Sequence, residues 1–88
     1  MGLDGVELVI SVEKHFNVEI HDSVAEKLRT VGDLHDFVVR ELRRLQRKDV
    51  NPAVVFEELR ELIAYHLGVK RDRVVPGARF VQDLDLDQ

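Results

Sequence analysis

His21-Asp22-Ser23 is the one place in this sequence where a base, an acid and a hydroxyl nucleophile come together. Consecutive residues do not build a catalytic triad, which is assembled in space from groups that approach one another from different directions. His15, His35 and His66 show no spacing that would hold a metal. Without cysteine the chain has no thiol chemistry and no disulfides. Catalysis and metal binding are therefore not expected. The informative groups are carboxylates. Asp4, Glu7, Glu13, Glu19 and Asp22 crowd the first 26 residues, which hold six acids and one base. Such a segment is suited to docking on a basic protein surface, where charge sets on-rate and specificity.

The balance changes along the chain. Residues 27–52 carry seven bases and four acids, and residues 53–88 carry five bases and seven acids. The net charge of -4 argues against nucleic-acid binding as the main role. The cations Arg43, Arg44, Arg47 and Lys48 close a helical pattern, where they complement the helix dipole. No apolar run approaches the roughly 20 residues of a membrane helix. The amino terminus has no basic stretch leading into a long apolar run, so no secretory signal is expected and the expected location is the cytoplasm. At 88 residues with 44% hydrophobic content, the chain is expected to form one small domain.

The acids must be held by helices. Gly2 to Phe16 reads as one amphipathic helix with Val6, Val9, Ile10, Val12 and Phe16 as its apolar stripe. Asn17 to Ser23 reads as a loop. Ser23 with Glu26 has the spacing of a capping box for a short helix to about Arg29. Thr30, with Asp33 three residues on, reads as the cap of the next helix. Its core stripe is Val31, Leu34, Phe37, Val38, Leu42 and Leu45. QRKDVNP is a linker, and Asn51-Pro52 opens a helix to Leu67, closed by Gly68. That helix is expected to bury Val55, Leu59, Leu62, Ile63 and His66 or Leu67. Residues 70–88 read as irregular, pinned by Val74, Val75, Phe80, Val81, Leu84 and Leu86.

Two parts of this pattern resemble the acyl carrier protein family. Val6-Glu7-Leu8-Val9, Phe16, Glu19-Ile20, Asp22, Ala25-Glu26-Lys27 and Thr30-Val31 resemble its second half, L-D-x-V-E-L-V through E-E-F-x-x-E-I to the final T-V helix. Leu67-Gly68-Val69, Val74, Ala78, Phe80-Val81, Asp83-Leu84 and Asp87 resemble its first half, L-G-V through A-x-F to D-L-G-x-D. The halves stand in swapped order: 1–46 matches the second half, 47–52 is the linker, and 53–88 matches the first half.

The resemblance implies an all-α, small four-helix acyl-carrier-protein-like bundle, circularly permuted. It places partner recognition on the acidic helix, with Asp4, Glu7, Glu13, Glu19 and Asp22 as contacts. In that family a serine carries 4'-phosphopantetheine, at a helix start where phosphate meets free N–H groups. The family serine position falls here at Gln88 or Gly2, so no intact cofactor site is expected and no cofactor is predicted. The expected partners are proteins with basic surfaces, such as fatty-acid or polyketide-type enzymes, with no nucleic acid and no membrane. Other readings are a working acyl or peptidyl carrier modified at an unexpected residue, a piece of a carrier array, and a non-carrier helical adaptor. The linker of about seven residues reaches roughly 23 Å extended. The chain is therefore expected as a monomer or, if that reach is too tight, a swapped dimer.

Overall fold

Thr30 sets the start of a long-range tie between α3 and the segment after α4. Its hydroxyl accepts the Asp33 N–H at 3.0 Å, and the Asp33 carboxylate accepts the Thr30 N–H at 3.2 Å. This reciprocal cap ties two of the N–H groups that a helix start leaves unpaired. It also holds the backbone of Thr30 extended, so that Thr30 forms an antiparallel bridge with Arg79. Three hydrogen bonds flank the bridge: Phe80 N–H to Arg29 O, Val31 N–H to Ala78 O, and Gly32 N–H to Pro76 O.

The computed structural model describes residues 5–45 and 49–86. Among these residues there are four α-helices and one 3-10 turn, and no named strand. The helices are α1 (Val6–Phe16), α2 (Asp22–Ala25), α3 (Val31–Arg44) and α4 (Pro52–Leu67), and the 3-10 turn spans Arg71–Arg73. Helix α4 packs against both α1 and α3. The segments on either side of residues 46–48 therefore share one core.

That core is built from Leu8 and Val12 of α1, Val31, Leu34 and Val38 of α3, and Leu59 and Ile63 of α4. The irregular segment after α4 adds Val74, Phe80 and Leu84, all essentially buried. Burying each such side chain contributes about 1.5–3 kcal/mol. The segment after α4 is thus a structural element of the core despite having little regular structure. Val18 and Ile20, between α1 and α2, are buried as well.

The α4 boundaries follow the local signals. The Asn51 side chain accepts the Ala53 N–H at 3.0 Å, and Gly68 ends the helix at φ +66°. Three other expectations are corrected. Helix α1 turns Leu8, Val12 and Phe16 into the core at steps of four, while Val6 and Ile10 are 69% and 43% exposed. The α4 neighbour selects that stripe, and Val6 and Ile10 face a groove that the short α2 only partly covers. Helix α2 begins at Asp22, capped by His21 without a side-chain hydrogen bond. The N–H groups of Val24 and Ala25 donate to His21 O, so Ser23 lies within the helix and makes no capping box with Glu26. Leu45 and Val75 are exposed: Leu45 stands one residue past the end of α3, and Val75 lies in the irregular segment just after the 3-10 turn.

Candidate functional site

The groove between α1 and α2 gathers apolar and acidic side chains. Val6, Val9, Ile10, Ile20 and Ala25 line it, together with Glu13, Asp22 and Glu26. Its volume is about 450 Å³, and it is open to solvent. The cause is local. After Asn17, which takes the left-handed conformation at φ 56°, the chain reverses and runs back to α2. The Glu13 carboxylate accepts the Ile20 N–H at 2.7 Å and fixes that return. Buried Ile20 and Ala25 meet α1, and a four-residue helix is too short to cover Val6 and Ile10.

The predicted acids divide. Glu13 and Asp22 come together on the groove. Glu26, which the sequence pattern assigned to a cap, joins them. Glu19 is exposed beside His21, with 3.7 Å between its carboxylate and Nε2. Glu7 is six residues from Glu13, and at 100° per residue the two point to different sides of α1. Glu7 instead borders a smaller hollow of about 290 Å³ with Gly5, Val6, Leu8, His66, Leu67 and Leu86. Asp4, Gly2 and Gln88 lie outside the described residues, as does Asp87.

The second hollow marks where the two described chain ends meet. A Cβ built on Gly5 would stand 3.0 Å from Leu86 Cδ1, and Leu86 is 6% exposed. The α1–α4 seam beside it is tied by side chains. Ser11 Oγ and His66 Nε2 share a hydrogen bond of 2.7 Å, and His15 Nε2 donates to Glu58 at 2.9 Å. Across the α3–α4 seam, His35 Nε2 donates to the Pro52 carbonyl at 2.8 Å. His15, His35 and His66 therefore join helices. Among the described residues no cluster of three or more His, Asp or Glu could hold a metal. Ser11 is engaged at the seam, whereas Ser23 is exposed on α2.

Asp83 organises the loop that leads to Leu86. It accepts the Arg79 N–H at 2.8 Å and the Arg79 guanidinium at 3.0 and 3.2 Å. The guanidinium hydrogen bond first, and the backbone N–H second, hold its carboxyl below the ordinary value. On α3, the Arg44 guanidinium does the same for Glu41. Arg40, Arg43 and Arg44 are exposed at the end of α3, and Arg47 and Lys48 lie outside the described residues.

The fold is a small all-α bundle of acyl-carrier-protein-like type, and three relatives point to the same class. Over 36 residues the chain is 56% identical to an acyl carrier protein of Thermosynechococcus vestitus, covering 41% of this chain and 44% of the relative. It is 47% identical over 36 residues to a mitochondrial acyl carrier protein of Saccharomyces cerevisiae, covering 41% and 29%. It is 44% identical over 41 residues to an acyl carrier protein of Porphyromonas gingivalis, covering 47% and 53%. These matches support an acyl carrier family. The chain spans between about a third and a half of the length of these relatives. No family model matches, and no solved structure matches. Among the described residues no helix is long and apolar enough to cross a membrane.

Proposed function

We propose that this chain is an acyl-carrier-like domain whose two halves stand in swapped order. It docks onto basic partner enzymes of fatty-acid or polyketide type through the acidic, grooved side of α1 and α2. It carries no chemistry of its own. Its carrier arm is missing, because the two positions that correspond to the family serine, Gly2 and Gln88, have no hydroxyl. Its role is then regulatory or scaffolding.

The observation that carries this reading is the meeting of Gly5 and Leu86. In a permuted carrier the old attachment point is the new break, and the two sides of the break must lie next to each other. The residues near both described ends do so, beside the amino end of α1. The matched length is consistent with it: a collinear comparison can take only one half at a time, and the relatives match over 36 to 41 residues. The docking reading draws on Glu13, Asp22 and Glu26 around an apolar floor, with Glu19 and Glu7 flanking it. Fixed acids at the rim of an apolar surface give on-rate and orientation to a basic partner.

The test is a rearranged chain. It begins at Asn51, runs to Asp87, continues through one serine into Leu3, and ends at Leu45. The expected result is a helical spectrum and a stability close to those of the parent, and modification of the new serine by a phosphopantetheinyl transferase with coenzyme A. The parent chain is expected to gain no mass under the same conditions. A rearranged chain that is unfolded, or folded yet never modified, would overturn the swapped-order reading. A mass gain on the parent at Ser11 or Ser23 would overturn the missing arm.

A further inference from the structure

Helix α4 does not start where α3 stops. The His35 imidazole donates to the carbonyl of Pro52, the first residue of α4, at 2.8 Å. His35 lies nine residues before the last residue of α3, Arg44, which is about 13 Å along the helix axis. The joint between the helices, described at Leu45 and at 49–51, is the strained and open part of this contact. Asp49 takes the left-handed conformation at φ 60°, which an L-residue pays for and glycine does not. A hollow of about 210 Å³ lies beside it, lined in part by Phe16, Leu42, Val50 and Val55. Leu45 before the joint and Val54 after it are 41% and 50% exposed. What holds 49–86 to 5–45 is independent of the joint. Leu59 and Ile63 of α4 fill the core that α1 and α3 share. The backbone hydrogen bonds around Thr30 and Arg79, and the Ser11–His66 and His15–Glu58 bonds, would be the same whichever copy supplied the second segment.

We propose that two copies of the chain exchange α4 and the segment after it. Each lobe of the resulting dimer consists of residues 5–45 of one copy and 49–86 of the other. The exchange keeps every core contact and both helix seams. It releases Asp49 from its left-handed turn and brings the uncovered Leu45 and Val54 of both copies beside the two-fold axis. Only the hinge changes, which is why swapping is a low-cost route to a dimer. The arrangement is isologous and closed, so growth stops at two copies. In each lobe Gly5 comes from one copy and the adjoining Leu86 from the other. Exchange requires the shared core to open, so monomer and dimer interconvert slowly. The dimer presents two α1–α2 grooves on one particle. The exchange does not rest on the reading of those grooves as docking surfaces, because mass and helicity alone report it.

Complementation between full-length variants is the test. Leu34 and Leu59 are fully buried in different segments. Leu34→Asp and Leu59→Asp each bury an unpaired charge and are expected to abolish the helical circular dichroism of the chain. Refolded together from urea in equal amounts, they are expected to recover about half of the parent signal in a particle of dimer mass, because one lobe then joins two intact segments. Sedimentation velocity of the parent is expected to show monomer and dimer, nothing larger, and a dimer that outlasts dilution. Asp49→Gly accepts the left-handed turn and favours the monomer. Asp49→Pro, with φ held near about −65°, cannot make that turn and favours the dimer. A dimer has two hinges, so a roughly tenfold preference at each becomes about a hundredfold in the dimer Kd. Two unfolded aspartate variants that recover no helicity on mixing would overturn the proposal. A parent and Asp49→Pro that both stay monomeric at high concentration would also overturn it. If either aspartate variant keeps its fold, the Asp49 pair decides, and equal dimer Kd values for Asp49→Gly and Asp49→Pro rule out exchange. A dimer that falls apart at once on dilution is an ordinary surface contact and sinks it as well.

Discussion

Leu86 Cδ1 lies 3.0 Å from the point where a Cβ on Gly5 would stand, so residues near the two described ends are in van der Waals contact. Leu86 is buried there, and its N–H donates to the Phe80 carbonyl at 2.8 Å. Leu86→Ala is expected to cost about 2 kcal/mol, the low end for a buried leucine, because a site near a chain end can relax. Urea denaturation measures it. A loss under about 0.5 kcal/mol, the range of an ordinary surface substitution, would mean that the apposition adds nothing to the fold.

Gly32 sits in the first turn of α3 against the loop. A Cβ there would stand 2.9 Å from the Pro76 carbonyl oxygen, the same atom that accepts the Gly32 N–H at 2.8 Å. Alanine favours a helix over glycine by about 1 kcal/mol. Against that stands a clash with backbone, which cannot swing aside as a side-chain tip can. The clash costs about 1–3 kcal/mol and is expected to win. Gly32→Ala should therefore lower the urea midpoint. A raised midpoint would show that the 76–80 segment yields freely.

Thr30 and Asp33 form one unit, so their substitutions should not add. Thr30→Ala and Asp33→Ala are each expected to cost about 1 kcal/mol. The double variant should cost less than the sum, since either change alone already breaks the reciprocal pair. Strict additivity in a double-mutant cycle would mean that the two hydrogen bonds act independently.

These local devices were legible in the sequence because their chemistry is local. Thr30 with Asp33, Asn51 before Pro52, and Gly68 after Leu67 each act within four residues. The buried face of α1 was not legible in the same way. Six of its residues from Val6 to Phe16 are apolar, and periodicity alone does not say which stripe a distant helix will cover. Leu8 is buried because α4 lies against it, and Ile10 is exposed because α2 is short. The same reason hid the groove and the role of Glu26 on it. Ser23 and Glu26 have the spacing of a cap, yet the His21 carbonyl takes the Val24 and Ala25 N–H groups and the Asp22 carbonyl takes that of Glu26.

The acid limb of stability should carry the mark of two exposed pairs. Asp83, held by Arg79, and Glu41, held by Arg44, titrate below their ordinary values of 3.8 and 4.5 in the folded chain. Each folded value lies below the unfolded one. Their contribution is therefore complete above the ordinary carboxylate range and is lost as pH falls through the folded values. Asp83→Asn combined with Glu41→Gln is expected to lower Tm near neutral pH and to change it little in strong acid, where the parent has lost the same pairs. High salt should shrink the difference, because both pairs are exposed. Parallel Tm curves across the whole pH range would count against these pairs.

The acids on α1 are expected to separate into three behaviours. Glu13 accepts the Ile20 N–H, so Glu13→Ala removes a charged acceptor from a half-buried amide. It should cost about 1–3 kcal/mol of stability besides any effect on docking. Asp22 and Glu26 border the same groove without salt bridges to other described residues. Asp22→Asn and Glu26→Gln should slow transferase modification of the rearranged serine chain, with little change in Tm. Glu7 points to another side of the helix, so Glu7→Gln should have a smaller effect on that rate. The readout is kcat/KM beside the urea midpoint for each variant. If Glu7→Gln slows the reaction as much as Glu26→Gln, the partner follows the net charge of α1. If only the groove acids matter, the partner reads the apolar floor and its acidic rim as one surface.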